Sequence, residues 1–197
     1  MSLKLKTLCQ NIECHLQGLI GSLNNQLGQV TIECAPEHYF QVIQTLKSQP
    51  DLAFEQVSDL CGVDYSSYKN EPWQGNRFAV VCHLLSYQHN WRVRVRTFAS
   101  DDGFPVVASI TPLFSGANWF EREAFDMYGI LFEGHPDLRR ILTDYGFVGH
   151  PMRKDFPVYG EVEMIYDPEQ KRIVYQPVSI PAREVTPRIV REEHYGE

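Results

Sequence analysis

The chain has 197 residues, 43% apolar and 22% charged, an ordinary balance for a globular protein with one substantial core. Its net charge of −7 argues against binding nucleic acid or an anionic membrane through bulk charge. The five cysteines, at positions 9, 14, 34, 61 and 82, include no Cys-x-x-Cys pair, so the usual zinc and iron–sulfur spacings are missing and reduced, buried thiols are expected.

Leu5, Leu8, Ile12, Leu16, Leu19 and Leu23 recur at three- and four-residue steps, which predicts an N-terminal helix ending near Gly21. Residues 29–34 read as a short strand. Pro36 suits the first turn of a second helix, with Tyr39, Val42, Ile43 and Leu46 on its buried side and Pro50 as its stop. Residues 54–57 are expected to be a strand, and 60–65 a loop or short strand. Segments 77–87 and 91–98, joined by Gln88-His89-Asn90, predict an antiparallel hairpin. Its second strand alternates Trp91, Val93, Val95 and Thr97 with Arg92, Arg94 and Arg96, so the arginines should form the solvated face of a sheet. A strand at 106–110 should precede a helix containing Phe120, Ala124, Met127 and Tyr128 as its apolar stripe, with Gly129 ending it. Later, 161–166 and 172–176 flank Asp167-Pro168-Glu169-Gln170, a second hairpin signal. The pattern predicts a two-layer α+β domain over residues 1–176, its mixed sheet of antiparallel hairpins packed on helices. From 177 on, prolines and mixed charges replace the apolar periodicity, so 177–197 is read as an extended, partner-binding tail.

The densest chemistry lies in Glu121-Arg122-Glu123-Ala124-Phe125-Asp126-Met127-Tyr128-Gly129, followed by His135, Arg139, Arg140 and Ile141-Leu142. Asn118 is expected to cap this helix, with Glu121 reaching back to the cap. Arg122 and Asp126 stand at ion-pair spacing, and on residues alone the charged side reads as solvated and self-paired. Glu121 and Glu123, two apart on a helix, cannot chelate one ion together. A second segment, Gly149-His150-Pro151-Met152-Arg153-Lys154-Asp155-Phe156-Pro157, repeats the His-Pro-then-base order. Its prolines favour rigid, extended loops.

These two segments, spanning 118–157, resemble the signature of the thirty-kilodalton-type (C-type) subunit of proton-pumping NADH:quinone oxidoreductase, respiratory complex I. Glu121-Arg122-Glu123, Asp126, Met127-Tyr128, His135, Arg139 and Ile141-Leu142 fill every position of it, and Met152 stands where the family usually has Leu. The resemblance implies a cofactor-free structural subunit of the peripheral arm, on the cytoplasmic side of a bacterial inner membrane. FMN and iron–sulfur clusters would sit in partner subunits. The expected neighbours are the quinone-cavity subunit (D type) and the cluster-bearing subunits (B and I types), with Arg122, Glu123, Asp126, His135, Arg139, Arg140, Arg153, Lys154 and Asp155 as interface candidates. Two other readings remain: the equivalent subunit of a membrane-bound nickel–iron hydrogenase, and a free-standing enzyme using Glu121, Glu123, Asp126 and His135. The sequence has no Gly-x-Gly-x-x-Gly, no phosphate loop and no nucleophile elbow. Nor does it have the roughly 18 consecutive apolar residues of a membrane span or a leader-like run after Met1.

Overall fold

A computed structural model describes residues 3–67 and 73–181. Two compact units divide the chain, one ending at Phe156 and the other starting at Pro157. The expected 1–176 domain thus contains both the first unit and a separate hairpin. Of the expected tail, residues 182–197 lie outside the described residues.

The first unit is built on a five-stranded sheet of order β1-β2-β5-β4-β3. Helix α1 (Leu3–Leu16) places Leu8, Ile12 and Leu16 in the core. It stops earlier than the leucine periodicity suggests, because Gly18 takes a left-handed turn (φ 80°). Past the expected helix end, Leu23, the last of the leucine series, falls in a strand, β1 (Ser22–Gln26), antiparallel to β2 (Gln29–Cys34). Pro36 opens α2 (Pro36–Ser48) as anticipated, and Tyr39, Val42, Ile43 and Leu46 are all fully buried. The two fragments expected around 54–65 form one strand, β3 (Gln56–Asp64), with an irregularity between Val57 and Asp59. It pairs antiparallel with β4 (Phe78–Ser86), and β4 with β5 (Trp91–Phe98).

β2 and β5 run parallel, bringing Val30, Ile32 and Cys34 beside Val93, Val95 and Thr97. The inner face continues through Leu84, Cys82 and Val80 to Leu60 and Gly62, and helices cover it. On the outer face Arg94 bonds to His83 and Gln29, and Arg96 to Glu33, so the arginines of β5 serve the solvated side of the sheet.

A small parallel pair, β6 (Val106–Ala108) with β7 (Leu131–Glu133), brackets helix α3 (Ala117–Tyr128), which packs against β3. Gly62 permits that packing. A Cβ there would lie 2.7 Å from Tyr128 Cδ2 and 3.2 Å from Ile130 Cδ1. In the second unit, β8 (Val162–Asp167) and β9 (Arg172–Pro177) form an antiparallel ribbon with no further strand beside it among the described residues. The architecture is α+β with a mixed sheet.

Candidate functional site

Helix α3 begins one residue before the expected cap. Gly116 is the cap residue, and no side chain caps the helix there. Glu121 turns the other way. Its carboxylate accepts hydrogen bonds from the Ser109 hydroxyl (2.6 Å), the Ile110 amide (2.7 Å) and the Thr111 hydroxyl (3.1 Å), fixing the turn after β6. The residue is fully buried. Burial pushes its pKa up, and these donors, with the nearby His135, pull it only part of the way back. His135, also buried at its ring, accepts the Asp137 amide at Nδ1 (3.0 Å), so its proton sits on Nε2, which faces the Asn118 carbonyl at 3.3 Å.

Arg122 and Asp126 do not pair as the four-residue spacing predicts. Arg122, 8% exposed, donates to the carbonyls of Arg139 (3.1 Å) and Arg140 (3.2 Å). Asp126, with no exposed surface, accepts the amides of Ile141, Leu142 and Thr143 at 2.8 to 3.0 Å, the Thr143 hydroxyl at 2.6 Å and the Arg140 guanidinium at 3.0 Å. Three successive backbone N–H groups aimed at one carboxylate make an anion nest. Burial alone would raise the Asp126 pKa. The Thr143, Leu142 and Ile141 hydrogen bonds outweigh it and hold the carboxyl well below the ordinary range. The charged side expected to be solvated is therefore mostly turned into the protein, and only Glu123 and Trp119 remain exposed.

The second motif completes the other end of the helix. A helix leaves its last carbonyls without intrahelical donors. Here the Gly129 amide takes Phe125 O, His150 Nδ1 takes Asp126 O (2.9 Å), the Met152 amide takes Met127 O (3.1 Å) and Arg153 Nε takes Tyr128 O (2.7 Å). Gly129 closes the helix in the left-handed region (φ 74°), and a Cβ there would lie 2.5 Å from Arg153 Nη2 and 2.6 Å from His150 Nε2. Burial lowers the His150 pKa, which suits a neutral ring donating to a carbonyl. Next to it, Asp64 forms a two-pronged pair with Arg77 (2.7 and 2.9 Å) and accepts the Lys154 amide (2.8 Å), while Arg77 also reaches Asp155. Neither Asp64 nor Arg77 stood among the candidates from sequence. The only signal was an Asp and an Arg at the ends of neighbouring strands.

Together these bonds pin residues 134–156, a strap with no helix or strand of its own. Leu138 packs against the core and Phe147 stacks on Phe156, but other apolar side chains of the strap point outward: Leu142 is 65% exposed, Tyr145 102% and Val148 89%. Arg139, Lys154 and Asp155 are exposed as well, Arg139 paired with its neighbour Asp137. Of the four groups of the enzyme reading, Glu121 and His135 approach each other (3.9 Å), and Glu123 and Asp126 lie apart from them. Glu121 and His135 hold the turns at 109–111 and 134–137, Asp126 holds 141–143, and Glu123 faces away. Clefts of about 390 and 400 Å³ open on other parts of the unit and include none of these residues. Among the described residues no three His, Cys, Asp or Glu come together as a metal set, and no helix is long and apolar enough to cross a membrane.

The ionisable groups of α3 are thus spent mostly on fixing the strap and the turn after β6. The chain belongs to the family described as "Respiratory-chain NADH dehydrogenase, 30 Kd subunit", whose model matches residues 32–162. The C subunit of NADH-quinone oxidoreductase from Polynucleobacter asymbioticus is 61% identical over 197 residues, 100% of this chain and 99% of its own length. Among solved structures, the trypsin-resistant fragment (1–134) of Nqo5 matches 69% of this chain and all of its own, with 28% identity and a TM-score of 0.57. A chain of the membrane-bound sulfane sulfur reductase, an archaeal respiratory membrane complex, shares the fold at 19% identity and a TM-score of 0.63, over 79% of this chain and 86% of its own.

Proposed function

We propose that this chain is a non-catalytic, cofactor-free structural subunit of the peripheral arm of NADH:quinone oxidoreductase, held on the cytoplasmic side of a bacterial inner membrane by its partners. It braces the quinone-cavity subunit (D type) and the cluster-bearing subunits (B and I types). FMN and iron–sulfur chemistry belong to other chains of that assembly. The observation that carries the reading is the strap: buried ions preorganise residues 134–156, yet Leu142, Tyr145 and Val148 stand in water. Apolar groups on a rigid irregular segment gain nothing for the isolated chain, whereas a partner covering them recovers about 25 cal/mol per Å² of buried apolar area.

The interface candidates divide into two roles. Arg122, Asp126, His135, Arg140 and Arg153 shape the strap, and Glu123, Arg139, Lys154 and Asp155 meet the partner at its rim, setting register through charge. The test is the double substitution Leu142→Ser with Tyr145→Ser in the native host. We expect the isolated variant to melt like the wild type and the abundance of assembled complex on native gels to fall at least about tenfold, as loss of central apolar anchors does. Normal assembly would remove the strap from the interface. Iron analysis and the visible spectrum of the purified chain test the cofactor-free part, and stoichiometric iron or a flavin spectrum would overturn it.

A further inference from the structure

Two arginines on the outer face of the main sheet stand in different electrostatic circumstances. Arg96 meets a carboxylate, that of Glu33. Arg94, two residues earlier on β5, meets only uncharged acceptors. Its Nε donates to His83 Nε2 (3.0 Å) and its Nη2 to Gln29 Oε1 (2.8 Å). A guanidinium can only donate, so His83 accepts through a deprotonated Nε2. Burial and the Arg94 charge lower the His83 pKa, in keeping with a neutral ring. Asp59 approaches only the other nitrogen of that ring, at 3.9 Å. Arg94 is thus half-buried and held in one orientation, and its Nη1 has no hydrogen-bond partner among the described residues. A cation drawn partly out of water without a counter-charge is costly, and a bound anion offsets that cost.

Arg94 lines the cleft of about 390 Å³ at the end of the sheet where the parallel strands β2 and β5 begin. Lys4, in the first turn of α1, and Arg92 line it as well. Both are exposed, and neither has an ion-pair partner among the described residues. No carboxylate among the described residues lines the cleft, so it gathers three bases and no acid in a chain of net charge −7. Charges of one sign along the walls of a cleft focus the potential inside it. The buried Trp91 adds an apolar wall, and the volume falls at the lower end of small-ligand sites. A phosphoryl group suits three bases better than a carboxylate does. It carries up to two negative charges and three terminal oxygens, and guanidinium groups match its geometry.

We propose that this cleft binds a phosphomonoester, either a small soluble one or a lipid headgroup that ends in a phosphoryl group. Arg94 is the preoriented donor, fixed before the ligand arrives, and Arg92 and Lys4 supply the remaining charge. None of the residues that shape the strap lines the cleft. The proposal therefore does not depend on the assembly reading.

Calorimetric titration of the full chain with glycerol 3-phosphate tests the soluble source. Co-sedimentation with vesicles of phosphatidylcholine, alone or mixed with phosphatidic acid, tests the lipid source. Saturable binding of the free ester with a Kd of about 1 mM or tighter assigns a soluble ligand, and binding only to the vesicles that contain phosphatidic acid assigns a headgroup. Arg94→Gln should weaken either by at least about tenfold, as loss of a charge-assisted hydrogen bond does. The double substitution Lys4→Gln with Arg92→Gln, at two exposed positions, should do the same and keeps the test open if Arg94→Gln unfolds. Arg96→Gln, on the same face but already paired with Glu33, should leave the affinity within about twofold. If neither probe binds, if the double variant binds like the wild type, or if Arg96→Gln weakens binding as much as Arg94→Gln, the proposal falls and the subunit reading is untouched.

Discussion

At the scale of single residues, two buried aspartates hold the strap. Asp126 accepts five hydrogen bonds and Asp64 fixes Arg77 and the Lys154 amide. Asp126→Asn keeps the shape but removes the charge that the nest and Arg140 compensate. We expect it to cost about 3 kcal/mol, the penalty for breaking a buried ionic network from one side, read by urea unfolding. The amides of 141–143 give a local readout. Though outside any helix or strand, they should exchange slowly with solvent in the wild type and quickly in the variant.

The pH dependence follows from the same groups. For Asp64, burial acts upward but is outweighed by hydrogen bonds from Arg77, Lys154 and Ser66, so its folded pKa, like that of Asp126, is depressed. A depressed carboxylate stabilises the fold fully above its unfolded pKa, about 4, and the contribution is lost as pH falls through the folded value. Glu121 has the opposite sign. Its raised pKa means that the folded state binds the proton more tightly, so acid favours that turn. The wild type should therefore lose stability below about pH 4. The gap between its melting temperature and that of Asp126→Asn should narrow there; a constant gap from pH 7 to pH 3 would show that the ionised carboxylate is not what holds the strap.

At the scale of elements, close approach sets the geometry around α3. Gly62→Ala places a methyl group against the Tyr128 ring, at 2.7 Å before relaxation. We expect a loss of about 2 kcal/mol in urea unfolding, within the range for overpacked cores. Unchanged stability would mean that α3 can slide on β3.

Elements with strong local signals were legible in the sequence. Pro36 and the apolar stripe of α2, the alternation of β5 and the turn between β8 and β9 all matched what formed. β1 was not legible, since Ser22–Gln26 has two asparagines and no apolar alternation and owes its strand to pairing with β2 across a tight turn at Leu27 and Gly28, both at positive φ. β7, at three residues, is too short to carry a period. The chemistry of the signature was visible as a density of ions, but its wiring was not. Spacing offers Arg122 the partner four residues on, whereas its true acceptors are carbonyls at 139 and 140. Backbone acceptors leave no mark on residue identity.

For the molecule as a whole, the first unit is complete within itself. Every described partner of Asp64, Glu121, Arg122 and Asp126 lies at or before Asp155. A chain ending at Phe156 should fold and melt within about 4 °C of the full chain, a shift of less than roughly 1 kcal/mol in a domain of this size. A collapse in melting temperature would show that the body needs residues beyond 156.

The parallel pairing of β2 with β5 also dictates an order of events during synthesis. β2 ends at Cys34, but the strand beside it begins only at Trp91. While the chain is growing, the middle of the sheet cannot close until β5 has emerged, and a long loop must be drawn in before any contact repays its entropy. β3, β4 and β5, consecutive in the chain and antiparallel neighbours in the sheet, are the segment that can form first. The exposed strap and the ribbon are translated after all five strands of the main sheet, onto a body already able to fold. A nascent chain thus shows its apolar outer surfaces only after the core that anchors them exists, which shortens the interval in which they can catch the wrong neighbour.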